Sequence, residues 1–138
     1  MPLQTIIFED ARLVITQAHG AFNRQDLLSN RESLLKERAF DPAFDHLFDL
    51  RATERVELSP TDVQQASLIR AFSESSRRAI VAPRDITFGL SRMYEAHRED
   101  IEELIRVFRD MDDALRWLGR DPEDPLFSPL REPLSPEP

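Results

Sequence analysis

Apolar and β-branched residues in this chain form short blocks that alternate with stretches of helical spacing. Gln4 to Phe8 and Arg12 to Gln17 are two β-branched runs separated by Glu9-Asp10-Ala11, the pattern of an antiparallel hairpin. Gly20 then breaks the run. Asn23 with Asp26 three residues later marks a helix N-terminus, reciprocal capping being the physical reason for that spacing. Leu27, Leu28, Leu34 and Leu35 fall on one face of the helix that follows, with Arg24, Arg31, Glu32, Lys36 and Glu37 on the other. Asp41-Pro42 ends it, because a residue before proline is pushed out of helical geometry. Phe44 to Leu50 reads as a third strand with Asp49 near its carboxyl end, followed by a loop from Arg51 to Leu58.

Ser59-Pro60-Thr61-Asp62 opens a second helix, with Ser as N-cap, Pro in the first turn and an acid on the positive end of the dipole. This helix is expected to run to about Ser75 and to bury Val63, Ala66, Ile69 and Phe72. Ala79-Ile80-Val81-Ala82, set between Arg77-Arg78 and Pro83, is a fully buried strand, and the Asp85-led run after it is a helix with Ile86, Leu90, Met93 and His97 on one stripe. Parallel strands need such crossovers. Beyond the charged link Arg98-Glu99-Asp100, Leu104 to Phe108 is the last strand. Asp110 and Asp113 begin a helix whose Met111, Ala114, Leu115 and Leu118 have i, i+3, i+4, i+7 spacing, with Gly119 as its C-terminal cap. The order β-β-α-β-α-β-α-β-α specifies an α/β domain with a mixed sheet of about five strands and an N-terminal hairpin at its antiparallel edge.

At 138 residues the chain has room for one domain, which at this size buries roughly 68–70% of its unfolded surface. The reading places that domain at 1–119. An acidic, proline-rich tail spans 120–138, with two Arg against five acids and a balance of −3 out of the chain's −8. Such a tail cannot fold alone and is expected to be extended, unless Leu126, Phe127 and Leu130 dock it; Phe127 is the expected anchor. The net negative charge argues against nucleic acid and anionic membrane as partners, since both require a cationic surface. The absence of cysteine excludes disulfides, thiolate catalysis and cysteine-ligated metal. No apolar run approaches the roughly 20 residues that span a bilayer, and Met1-Pro2-Leu3-Gln4 lacks the features of a leader, so a cytoplasmic protein is expected.

Catalytic chemistry finds little footing. His19, His46 and His97 are the only imidazoles; His46 has Asp45 and Asp49 nearby in sequence, but successive strand residues point to opposite faces. There is no Gly-x-Ser-x-Gly, no argued base for Ser59, Ser67 or Ser91, and no Gly-rich phosphate loop among three glycines. The chain is therefore expected not to be an enzyme, and no metal or cofactor is assigned. Asp49 and Arg51 at a strand end are candidates for ligand contact or for a salt bridge between elements. Arg92, Tyr94 and Glu95 are candidates for a partner-facing patch, against the alternative that Tyr94 caps the core while Arg92 and Glu95 pair with neighbouring charges. Trp117 reads as packing at the edge of the core.

Five blocks carry a family resemblance: Leu47-Phe48-Asp49-Leu50-Arg51, Ala79-Ile80-Val81-Ala82, Phe88-Gly89-Leu90-Ser91-Arg92-Met93-Tyr94-Glu95, Val107-Phe108-Arg109-Asp110 and Ala114-Leu115-Arg116-Trp117-Leu118-Gly119. Together with the element order they resemble the SpoIIAA-like branch of the STAS domains over roughly Leu3 to Gly119. The resemblance implies a module that binds proteins or, in some relatives, an apolar ligand or lipid. In the anti-sigma-factor antagonists of that superfamily a serine at the start of the helix after the third strand is a phosphoacceptor. By position this is Ser59, although Glu57-Leu58-Ser59-Pro60 departs from the Asp-Ser-Ser-Gly of those proteins. Ser59 is also a sufficient N-cap without any phosphate. The first expectation is a protein-binding, regulatory module, with another protein or a second copy of itself as the candidate partner; the alternative is a carrier of a small apolar ligand or lipid. The carrier requires a cavity between sheet and helices lined by residues such as Phe48, Phe72, Phe88 and Met93.

Overall fold

The computed structural model describes residues 2–67, 71–98 and 104–133. Leu3–Phe8 (β1) and Leu13–Asn23 (β2) form the N-terminal hairpin, in register from Leu3 opposite Ala18 to Phe8 opposite Leu13. Arg12 closes its turn with φ of 53°, in the left-handed region that L-residues with a side chain enter at a cost. Asp45–Glu57 (β3), Arg78–Val81 (β4) and Ile105–Phe108 (β5) complete a sheet of order β1-β2-β3-β4-β5, parallel beyond the hairpin. The connecting helices are Arg24–Leu35 (α1), Pro60–Ala66 (α2) and Asp85–Ala96 (α3), and Met111–Trp117 (α4) follows β5. Because each parallel strand lies beside its predecessor and crossovers share one hand, α1, α2 and α3 lie on the same face of the sheet. The architecture is the α/β mixed sheet with N-terminal hairpin that the element order specified.

The helix caps form as their spacing required. Asn23 Oδ1 accepts from Asp26 N–H at 3.0 Å while Asp26 Oδ2 accepts from Asn23 N–H at 2.9 Å. Ser59 and Asp62 repeat this reciprocal pair at 3.0 Å each way. Asp110 accepts from Asp113 N–H at the start of α4. At its end Gly119 has φ of 78°, with Arg120 N–H on Leu115 O and Gly119 N–H on Arg116 O. Those two bonds are a Schellman closure, which needs the left-handed residue that glycine supplies most cheaply.

Several boundaries differ from the sequence expectation. Gly20 does not end β2; with φ of 66° it sits at a register shift, and the strand continues to Asn23. The stretch from Arg51 to Glu57 is not a loop, because bulges let Ala52 to Glu57 continue the β2–β3 ladder. α2 ends at Ala66 rather than near Ser75, and residues 71–76 are not helical; Ile69 lies outside the described residues. Leu35 is 47% exposed, so α1 buries Leu34 and leans on Leu27 instead of seating all four leucines. The buried stripe of α3 is Thr87 and Ser91, whereas Ile86 is 79% exposed. Their hydroxyls bond back to carbonyls of the same chain turn, Thr87 Oγ1 to Arg84 O and Ser91 Oγ to Thr87 O, which removes the usual cost of turning a polar group inward.

Strand alternation divides the core. Leu13, Ile15, Leu47, Ala79 and Val81 point to the face covered by Met111, Ala114, Leu115 and Leu118 of α4. The segment after Gly119 completes that cover: a 3-10 helix, Pro125–Leu130, buries Phe127 and Leu130 in the same cluster. Phe127 meets Phe8 edge-on at 5.6 Å between ring centroids. Arg120 ties the segment to the hairpin, pairing with Asp45 at 2.5 Å and donating to Ala11 O and Arg12 O. Residues 120–133 are thus packed on the sheet rather than extended. The opposite face carries Ala18, Phe22, Leu50, Ile80 and Ala82 in one cluster and Val14, Leu34 and Phe44 in another.

Candidate functional site

Between the two clusters on the α1–α3 face lies a cavity of about 180 Å³. Phe22, Phe48, Leu50 and Ile80 from the sheet form its floor. Leu27 and Leu34 of α1, Val63 and Ala66 of α2 and Leu90 and Tyr94 of α3 face them, with Val56 and Leu58 at the end of β3. Helices of twelve, seven and twelve residues cover this face of the sheet. Of the four residues expected to line such a space, Phe48 and Phe72 do. Phe88 packs in the adjoining cluster beneath the Arg109 guanidinium, 4.2 Å from the ring centroid, and Met93 is half-buried away from the wall. An engineered apolar cavity of comparable volume holds a benzene-sized molecule.

Polar groups collect at one part of this wall. His46, on β3, is stacked on Phe72 with centroids 4.6 Å apart and planes at 16°. Its Nε2 lies 2.9 Å from Thr16 Oγ1. On the neighbouring strand Arg78 stands opposite it in register, with its guanidinium over the same Phe72 ring and donating to Phe72 O and Ser73 O. Burial, and then the Arg78 charge, lower the His46 pKa from 6.5 to about 3. The ring is part of the cavity wall, and desolvation outweighs the Arg78 charge in setting its pKa. His46 is therefore neutral at physiological pH. Sequence reasoning weighed this residue only as a metal ligand; its polar position inside a helix-covered strand face was the signal available.

Asp49 and Arg51 lie on the other face. Asp49 is 2% exposed and is held by a two-pronged pair, Arg51 Nε to Oδ1 and Arg51 Nη2 to Oδ2, both 3.0 Å, with Gln17 Nε2 at 3.2 Å from Oδ2. Arg51 also donates to Leu130 O at 2.6 Å and Arg131 O at 3.4 Å, where a cation suits the carbonyl end of the 3-10 helix. These two residues clamp the C-terminal segment to the sheet. A polar cleft of about 250 Å³ opens beside them, but its arginines are matched by acids: Arg109 pairs with Asp85 at 3.0 Å, and Asp110 and Asp112 share the wall.

The α3 candidates separate. Arg92 pairs with Glu95 at 3.3 Å on the surface, whereas Tyr94 turns into the cavity wall. Ser59 is exposed, and its hydroxyl oxygen is the cap of α2. Trp117 packs on Phe108 at the margin of the core, as its sequence context suggested. Among the described residues no three His, Asp or Glu side chains converge to hold a metal ion, and no helix is long and apolar enough to cross a membrane.

Comparison with solved structures places this arrangement. An uncharacterised protein of the DUF3478 family from Shewanella loihica PV-4, described as having a SpoIIAA-like fold, superposes with a TM-score of 0.55. The likeness covers 84% of this chain and 91% of that one at 20% identity. The chain has a SpoIIAA-like fold. The order of strands and the N-terminal hairpin of the SpoIIAA-like domain match what the sequence resemblance implied, and at this identity the likeness speaks to fold alone. No family model and no curated protein matches the sequence.

Proposed function

We propose that this protein is a non-catalytic SpoIIAA-like binding module that takes up a small apolar ligand between its sheet and helices α1–α3. The observation that supports this reading is the apolar cavity, since a domain packed to ordinary interior density leaves few voids larger than a water molecule. Filling it removes apolar wall from contact with solvent at about 25 cal/mol per Å², the driving force such a carrier uses. Methyl NMR in benzene-saturated buffer tests the reading. The methyls of Leu50, Val56, Val63 and Leu90 are expected to shift, while those of Leu13, Ile15 and Leu47 on the opposite face stay put. Unmoved cavity methyls would refute it.

A second reading, a regulatory protein-binding module, is favoured by the surface at the α2 and α3 N-termini, where Ile86 is exposed in the first turn of α3 and Ser59 is accessible. Native mass spectrometry of protein purified gently from its own host separates the two. A co-purifying small mass supports the carrier; a bound protein, a second copy or a phosphate increment supports the regulatory module.

A further inference from the structure

The sheet has two outer strands, β1 and β5, and only β5 is guarded against pairing with another chain. It is four residues long and carries the exposed charge of Arg106, two of the devices by which natural sheets blunt an edge. β1 has neither. Its six residues, Leu-Gln-Thr-Ile-Ile-Phe, hold no charge and no proline, its register against β2 runs without a shift, and Ile6 is 37% exposed. One bond fixes the direction of its free backbone groups. His19 N–H donates to Pro2 O at 2.9 Å, and the register that sets Leu3 opposite Ala18 sets Pro2 opposite His19. Antiparallel ladders alternate, so Gln4 and Ile6 spend their N–H and C=O groups on β2, and those of Leu3, Thr5 and Ile7 point away from it. The approach of the Thr5 and Thr16 hydroxyls to 3.5 Å agrees, because side chains lie nearer in pairs that exchange no backbone bonds. Among the described residues nothing bonds these outward groups.

We propose that β1 pairs antiparallel with β1 of a second copy of this chain, joining two five-stranded sheets into one. This goes beyond the cavity reading and does not depend on it. The strand is self-complementary. With Thr5 on the two-fold axis, Leu3 stands opposite the partner's Ile7 and Thr5 opposite the partner's Thr5, and every outward N–H meets an outward C=O. Opposed side chains share a face, so Ile6 is covered by the partner's Gln4. Helix α1 permits the approach: it packs over both β1 and β2, and with strands about 4.8 Å apart its axis and that of its symmetry mate stand roughly 10 Å apart, the ordinary spacing of packed helices. Leu27, Asn30 and Leu34 of α1 face the sheet and Arg31 lines the cavity, so helical spacing puts Asp26, Ser29 and Ser33 on the flank toward the axis. Asn30 bonds Thr5, which sets the crossing point, and Asp26 then lies across from the partner's Ser33. The charges are compatible: an uncharged strand meets itself, and the acid on the helix flank meets a hydroxyl.

Sedimentation velocity and amide hydrogen exchange on the full chain provide the test. The mass is expected to rise from 16.0 kDa toward twice that value with increasing concentration. The amides of Leu3, Thr5 and Ile7 are expected to gain protection in step with it, while those of Gln4 and Ile6 stay protected throughout. Thr5→Pro removes an outward donor without touching a β1–β2 bond and is expected to leave a monomer. Should Thr5→Pro fail to fold, Ile6→Lys gives the same answer, since its side chain is exposed and its backbone stays in the ladder; it is expected to weaken the dimer roughly tenfold or more. Ile86→Lys, in the first turn of α3, is expected to leave the dimer unchanged. A chain that stays at 16.0 kDa at every concentration overturns the pairing. So does a dimer that Ile6→Lys leaves unweakened, or one whose Leu3, Thr5 and Ile7 amides exchange freely. Protection of those amides only when a different protein binds overturns the second copy and assigns the edge to that partner.

Discussion

His46 makes stability depend on pH in a window that can be worked out from its surroundings. In the folded protein its pKa is held at about 3 by burial and by Arg78, whereas in the unfolded chain it returns to 6.5. The unfolded state therefore binds the extra proton between those values, so stability rises with pH from about 3 to 6.5 and is flat above. Lowering the pH from 7.5 to 5.0 protonates most unfolded chains at this site and almost no folded ones, which costs about 2 kcal/mol. Other groups titrate as well, but they do so equally in a His46→Phe variant, which keeps an aromatic ring against Phe72. The assay is urea unfolding followed by fluorescence of the single Trp117 at pH 7.5, 6.5, 5.5 and 5.0, for both proteins. The unaltered protein should lose about 2 kcal/mol more than the variant across that range. Parallel pH profiles, or a native His46 that titrates near 6.5 by NMR, would refute the reasoning that burial governs this ring.

Three further expectations concern the other face and the α2 cap. Phe127→Ala should cost about 3–5 kcal/mol, because the ring is 2% exposed and packs on Phe8 and the α4 cluster; a change under 1 kcal/mol in urea unfolding would show that the C-terminal segment is not part of the folded unit. Arg51→Met should cost on the order of 3–5 kcal/mol by leaving the Asp49 carboxylate buried, and Asp49→Leu combined with it should recover much of that loss; additive losses in the double variant would contradict a paired charge. Ser59→Ala should cost about 1 kcal/mol and Ser59→Asp much less, both being readable by thermal unfolding, since aspartate is itself a good N-cap. A difference in captured partner between those two variants, seen at matched folded fractions, would give Ser59 a regulatory role beyond the cap.

Local signals in the sequence carried a long way. The capping pairs Asn23–Asp26 and Ser59–Asp62, the Asp110 N-cap, the glycine closure at Gly119 and the buried strand at Arg78–Val81 all lie within a turn or a strand of the residues that announce them. Strand extension past Gly20 and Arg51 was hidden because bulged pairing between β2 and β3 stabilises polar stretches that have no strand signature of their own. The face of α3 was misread because apolar spacing assumes that polar groups avoid the interior, and Thr87 and Ser91 escape that rule by bonding their own backbone. The Asp49–Arg51 pair was visible as a possible salt bridge, but its grip on Leu130 and Arg131 depends on a segment about 80 residues away.

The sequence by itself therefore determined the order of elements, their caps and the α/β class, because these follow from backbone geometry and periodicity over a few residues. Only the tertiary structure decided that a cavity remains under α1–α3, that Thr16, Phe72 and Arg78 converge on His46, and that the acidic C-terminal segment completes the opposite core. Those features are sums over side chains from distant elements. Volume left unfilled, the environment of an imidazole and the burial of Phe127 are set by how whole layers meet, and no local pattern encodes that sum.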